Sequence, residues 1–269
     1  MSISRLAALA VAFPLLASAA GAQSTWSFTD QSGNGACALA GNGGAGLGNT
    51  YTCAAQGSNT PTLTVRAFGI AVSNTAANRV VSAAAVTGPY SGAGIGVGTA
   101  AEGGNDADDP NHMMDNAGQN TDFLLLSFLT GAYDLNSVSF GAVPDDSDFQ
   151  ILRWTGVGGP SLVGQTASQL LAGGWELVSS VNGGSSPNAY NVNPGNLASQ
   201  HWILASYNTA LGSAAGLDMG DDEMKVLGIG ATAVPGGGAG SVVPEPSTYA
   251  LLGTGLGFLG LVARRRRRA

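Results

Sequence analysis

Charge is scarce in this chain. Only 10% of its 269 residues are charged and 7% are aromatic, and there are two histidines and two cysteines. Cations are scarcer still once the two ends are set aside. Arg264, Arg265, Arg266, Arg267 and Arg268 are half of the ten basic residues, and Arg5 is a sixth. The stretch between keeps Arg66, Arg79, Arg153 and Lys225, against sixteen of the seventeen acidic residues. Such an anionic body repels nucleic acid and anionic lipid. A helical bundle is excluded on two counts: 42 glycines disfavour helix interiors, and few charges are left for i,i+4 pairs. Enzyme signatures are missing too. There is no Gly-x-Ser-x-Gly elbow, and His112 and His201 fall in a turn and at the start of a strand. Acidic pairs abound, but abundance in turns identifies no acid/base couple.

What is present divides the chain into a body and two routing segments. Residues 1–22, MSISRLAALAVAFPLLASAAGA, have a basic start, an apolar run and small residues at the end. That is the pattern of a secretory signal peptide cleaved before Gln23, and it fits a membrane anchor less well. At the other end, residues 234–243 (VPGGGAGSVV) form a flexible linker by their glycine content. The tail, 244–269, opens with prolines that fix an extended backbone. Residues 247–263 are uncharged and mostly apolar. As a helix they span roughly 25 Å, enough for a thin bilayer. The arginines that follow stop translocation and stay on the cytoplasmic side.

Val243-Pro244-Glu245-Pro246-Ser247, an apolar helix and a terminal arginine cluster together resemble the PEP-CTERM sorting signal of Gram-negative bacteria. The resemblance implies recognition by exosortase, a membrane transpeptidase that would cut near the Pro-Glu-Pro and release the body to the cell surface or matrix. It also implies passage through the secretion translocon, signal peptidase and a transient inner-membrane stage with the body in the periplasm.

Residues 23–233 read as a single all-β domain, a β-sandwich of jelly-roll type with one short helix. Strands are expected at Thr25–Thr29, Thr62–Val72, Arg79–Val86, Asp122–Thr130, Leu135–Ala142, Asp148–Trp154, Trp175–Val181, His201–Tyr207 and Met224–Ala231. FLLLSFL at 123–129 is apolar on both faces, as a central strand is. In 149–154, Phe149 and Ile151 oppose Leu152 and Trp154. TASQLLAGG (166–174) is the one helical pattern, closed by glycines. In an exported protein Cys37 and Cys53 read as a disulfide closing a Gly-rich loop; reduced structural thiols are the alternative.

Three acidic stretches stand out: Glu102 to Asp122 with Asp106, Asp108 and Asp109; Asp145-Asp146-Ser147-Asp148; and Asp218 with Asp221-Asp222-Glu223. Carboxylates and amides in turns are hard ligands suited to Ca²⁺, and Asp106, Asp108 and Asp109 are its candidate ligands. None of the stretches fits the twelve-residue calcium loop, and the simpler reading is solvated turns whose Asp and Asn side chains bond local amides and end strands.

NHMMDNAGQNTDFLLLSF, DSDFQILRWTG, GWELVSSV, HWILASYN and DDEMKVLGIGA also resemble the body of a family of exosortase-dependent surface proteins. By position its motif maps to His112, Asp115, Asn116, Asp146, Asp148, Gly174, Trp175 and Trp202. The resemblance implies a location and no chemistry. The expectation is a non-enzymatic surface or matrix protein delivered to the envelope or an exopolysaccharide layer. The alternative is a carbohydrate-binding module, Ca²⁺-dependent or not, with Trp154, Trp175 or Trp202 stacking on sugar rings.

Overall fold

The computed structural model describes residues 23–29, 37–40, 46–56, 62–71, 79–100, 112–116 and 120–234. All of them belong to one compact unit, Gly21–Ser241. The signal sequence, the linker beyond Val234, the sorting tail and Asp106, Asp108 and Asp109 lie outside the described residues. Among the described residues no helix is long and apolar enough to cross a membrane.

Two antiparallel sheets make a sandwich. The first runs β13 (Ala189–Asn191), β10 (Tyr133–Ala142), β16 (Glu223–Ala233), β7 (Gly94–Gly98) and β6 (Ala85–Tyr90). Against β16 also pair β1 (Gln23–Ser27) and β8 (Met114–Asp115), and β14 (Ala198–Ser199) pairs with β10. The second sheet runs β12 (Trp175–Val181), β11 (Phe149–Trp154), β15 (His201–Ser206), β9 (Asn120–Phe128), β4 (Thr62–Ala71), β3 (Thr50–Ala54) and β2 (Cys37–Ala40). β5 (Val81–Ala83) pairs with β4.

β9 sits at the heart of the second sheet because its side chains are apolar on both faces. Leu124, Leu126 and Phe128 enter the core between the sheets. Phe123 and Leu125 enter a second cluster on the outer face. Alternation along β11 works the same way: Phe149 and Ile151 face the inter-sheet core, and Leu152 the outer cluster, with Trp154 packed against it. A bulge between Ile151 and Leu152 in the pairing with β12 lets that strand adjust its register. From the first sheet, Trp26 and Tyr133 pack on Phe128, and Phe140 meets Phe149 edge-on at 5.0 Å. Aromatic contacts thus join the two layers, while Phe68, Phe123 and Trp175 serve the outer cluster.

The outer cluster has its own cover. The loop after β11 brings Leu162 onto it, and helix α1 (Ala167–Ala172) brings Leu170. The helix is only six residues long and depends on its ends. Thr166 and Gln169 form a reciprocal capping box, and the Gly173 amide closes the C-terminus.

Several expectations need correction. The segment between the cysteines is not simply a loop: Cys37–Ala40 and Thr50–Ala54 pair as a hairpin, with Cys37 directly opposite Cys53. The expected strand Arg79–Val86 breaks at Ala84 into β5 and the start of β6. β7 has three glycines in five residues, carries little hydrophobic signal and yet is buried throughout.

Candidate functional site

Asn116 is the hinge of a polar cluster at one end of the sandwich. It follows the short strand β8, which pairs with the start of β16. Its side chain is 3% exposed, and every polar atom of it is used. The amide nitrogen donates to the Tyr207 carbonyl at 2.8 Å and to the Asp222 carboxylate. Its oxygen accepts the amides of Gly220 and Asp222, at 2.9 and 3.2 Å. An Asn serves here because its amide carries two N–H donors and an oxygen with two lone pairs, enough for all four of these bonds.

The loop ahead of β16 is thereby locked against the turn between β10 and β11. Asp146 and Asp222 form a parallel bridge, with the Glu223 amide on the Asp146 carbonyl at 2.9 Å. The Asp148 amide donates to Asp222 Oδ1 at 2.6 Å, and the Asp218 amide to Asp148 Oδ2 at 3.3 Å. Ser147 closes the turn, donating its amide to Asp146 and its hydroxyl to the Gly184 carbonyl. Two of the three acidic stretches in the sequence therefore converge, although about seventy residues separate them.

Convergence brings five carboxylates together in two overlapping groups. Asp146, Asp148 and Asp222 form one and Asp146, Asp218 and Asp221 the other; within each, one oxygen per residue lies within 4.8 Å of the rest. Asp148 and Asp222 are completely buried, and Asp148 Oδ1 has no hydrogen-bond partner. Burial, then the charge of Asp146, push Asp148 up to about 6, partly offset by the Asp218 amide bonded to Oδ2 and by the nearby Gly183 amide, which makes no hydrogen bond to Oδ1. Burial is again first for Asp222, pushed up to about 8 despite its bonds from the Asp148 amide and Asn116. Asp221 is raised as well, by desolvation and by Asp218, Asp146 and Asp145. All three shifts have one meaning: this pocket disfavours uncompensated negative charge.

Of the eight positions mapped from the surface-protein resemblance, Asn116, Asp146 and Asp148 meet in this cluster. Asp115 lies beside it, pairing with Glu223, and its carbonyl accepts the Ser206 hydroxyl at 2.6 Å. The His112 carbonyl accepts Lys225 Nζ and the Thr87 hydroxyl, both at 3.3 Å, while its ring nitrogen Nε2 is buried without a partner. Gly174 and Trp175 sit elsewhere, at the start of β12, with Trp175 in the outer apolar cluster. Trp202 lies in the inter-sheet core, its indole N–H shared between the carbonyls of Tyr133 and Ser199. Asp222 is the residue whose importance the sequence least announces. The Asp221-Asp222 doublet marks the place, but which of the two turns inward is decided by β16 pairing.

Trp175 and Trp202 are 3% and 0% exposed, so neither offers a face to a sugar. Trp154 alone of the three is partly exposed; its N–H is bonded to the Gly158 carbonyl and its ring lies 5.4 Å from that of Trp175. The disulfide is formed between Cys37 and Cys53, both buried, at a Cα–Cα distance of 4.0 Å.

With the acidic β-sandwich described, the tail gives its destination. Residues 242–268 match the PEP-CTERM protein-sorting motif. No curated protein and no solved structure matches the chain. The chain therefore carries an exosortase-directed signal, which implies processing by exosortase and export to the cell envelope or surface.

Proposed function

We propose that this is a non-enzymatic surface or extracellular-matrix protein. Its N-terminal 22 residues send it through the translocon, its tail anchors it briefly in the inner membrane of a Gram-negative bacterium, and exosortase cuts near Pro244-Glu245-Pro246. The β-sandwich then joins the envelope or an exopolysaccharide layer. The observation that carries this reading is the sorting motif at residues 242–268, placed after a glycine-rich linker and an acidic body. A low density of cations suits a body that must stay free of anionic lipid while its tail is in the membrane.

The sugar-binding alternative now depends on Trp154, because the other two candidate tryptophans are core residues. Aromatic stacking on a sugar ring needs an open face. Half-covered by the loop at Gly158, Trp154 offers a small one.

The test is fractionation with intact-mass measurement of the native protein in an exosortase-bearing host. The expected species begins at Gln23, lacks the apolar segment and arginine cluster, and is found at the cell surface or in the medium. Changing Pro244, Glu245 and Pro246 to alanine should leave the full tail attached and the protein in the membrane fraction. Uncleaved protein dissolved in the cytosol would overturn the reading.

A further inference from the structure

We propose that Asp146, Asp148 and Asp222 bind a hard divalent cation of the calcium class, which ties the two sheets together at this end of the sandwich. The proposal is independent of how the tail is processed. Asp222 leads into β16 of the first sheet and Asp148 leads into β11 of the second, so one ion between them joins both layers.

Four observations support it. The first is spacing. Calcium takes oxygen ligands at about 2.3–2.6 Å, so ligands on opposite sides of one ion are about 4.6–5.2 Å apart. The oxygens of Asp146, Asp148 and Asp222 lie within 4.8 Å of one another. Magnesium fits inside the same span, but it gives up its waters reluctantly and is bound as a rule through one or two carboxylates, so a group of three favours calcium.

The second is Asp148 itself. It is 0% exposed, and its Oδ1 has no hydrogen-bond partner. A buried carboxylate oxygen without a donor is costly, and buried charges are as a rule paired or coordinated to metal. Here the carboxylate belongs to a group of three, and none of Asp146, Asp148 and Asp222 is salt-bridged to a described cation.

The third is the character of the surroundings. Asp222 already has an amide on Oδ1 and the Asn116 side chain on Oδ2, which fix its orientation and leave lone pairs on both oxygens. Asp146 accepts the Ser147 amide at 2.8 Å. The carboxylates are thus held in place before any ion arrives, as ligands held by surrounding hydrogen bonds are in metal sites. No nitrogen or sulfur ligand is in either group, which argues against zinc.

The fourth is access. Asp146 is shared with Asp218 and Asp221, and Asp218 is exposed. The outer three carboxylates give a path from solvent to the inner three and can supply further ligands. The raised values of Asp148 and Asp222 agree with this picture, since a cation would restore both to their charged forms.

Thermal unfolding of the purified full chain in EDTA, 10 mM CaCl₂ and 10 mM MgCl₂ tests the site, with calorimetric Ca²⁺ titration alongside. With an affinity in the range of extracellular calcium modules, Ca²⁺ should raise Tm by about 5 °C and Mg²⁺ by less than half as much. Asp148→Asn should abolish the calcium shift and the calorimetric signal. In EDTA it should match or exceed the wild-type Tm, because it removes a buried like charge. Should Asp148→Asn fail to fold, Asp146→Asn, at a partly exposed position, must show the same loss. The proposal is overturned by a wild-type Tm that ignores calcium, by an equal magnesium shift, or by a calcium shift that survives in a folded variant.

Discussion

Asn116 grips Asp222 from both sides: its Nδ2 donates to the carboxylate, and its Oδ1 accepts the Asp222 backbone amide at 3.2 Å. The two residues are 106 positions apart, so this pair fixes a long-range register between β8 and β16 that side-chain hydrophobicity leaves open. Leucine at 116 would fill the same volume and return none of the bonds. It would strand the Tyr207 carbonyl, the Gly220 and Asp222 amides and a buried carboxylate. At about 1–3 kcal/mol for each buried group left unpaired, with partial relief from relaxation, Asn116→Leu should destabilise the domain by about 3 kcal/mol or more. Urea denaturation measures this directly, and a loss below about 1 kcal/mol would show that the network is dispensable.

A second prediction concerns the spacing of backbones. The Gly96 position in β7 is so close to the His112 carbonyl that an added Cβ would collide with backbone rather than with a movable side chain. That crowding explains why a strand so poor in side chains is buried throughout. Gly96→Ala should therefore lose several kcal/mol or fail to give soluble folded protein. Gly159→Ala is the control, because a Cβ there meets nothing within 4 Å. Equal melting temperatures for the two variants would contradict the packing described here.

His201 gives a pH dependence with a definite sign. Its Nδ1 is 2.9 Å from the Ser127 hydroxyl, and burial holds its pKa below the ordinary histidine value. The fold thus prefers the neutral ring. Its contribution is fully present above the unfolded value of about 6.5 and is lost as pH falls through that value toward the folded one. Wild type and His201→Gln should be compared by denaturant unfolding at pH 7.5 and pH 5.0. The stability of wild type relative to the variant should be lower at pH 5.0. A difference that does not change with pH would mean that the ring is not held neutral.

Much of the sandwich is legible in the sequence because burial leaves a period. Phe149 and Ile151 against Leu152 and Trp154 announce a strand with two apolar faces, and FLLLSFL announces a central one; both stand where that pattern requires. The helix is legible through Thr166, Gln169 and the glycines after it. What stays hidden is hidden for physical reasons. β7 is Gly-Ile-Gly-Val-Gly: its glycines answer to neighbouring backbones, so they leave no hydropathy signal. β2 and β3 flank a glycine-rich stretch that reads as loop throughout. For the site, each acidic turn is visible by itself, yet their meeting depends on β16 lying beside β8 and β10, which is a property of topology. Local sequence points to Asp145-Asp146-Ser147-Asp148 and cannot point to Asp222 as its partner.

The disulfide tests how far the edge of the second sheet depends on covalent support. Cys37 and Cys53 are directly opposed on β2 and β3, at the far end of that sheet, and close a loop with a sequence separation of 16. For a loop of this length the chain-entropy model gives about 3 kcal/mol of stabilisation, by restricting the unfolded chain. In a domain of this size that is worth about 6–12 °C in Tm. Replacing both cysteines by serine adds the loss of two buried sulfurs to the apolar core, so the serine pair should fall further than protein reduced in place. Both species should keep the β-sheet circular dichroism of the native domain at 20 °C, because β4, β9 and β15 pair without help from the hairpin. Melting curves for oxidised, reduced and Cys37→Ser/Cys53→Ser protein separate the two contributions. Loss of sheet signal at 20 °C on reduction would instead make the hairpin essential to the whole sheet.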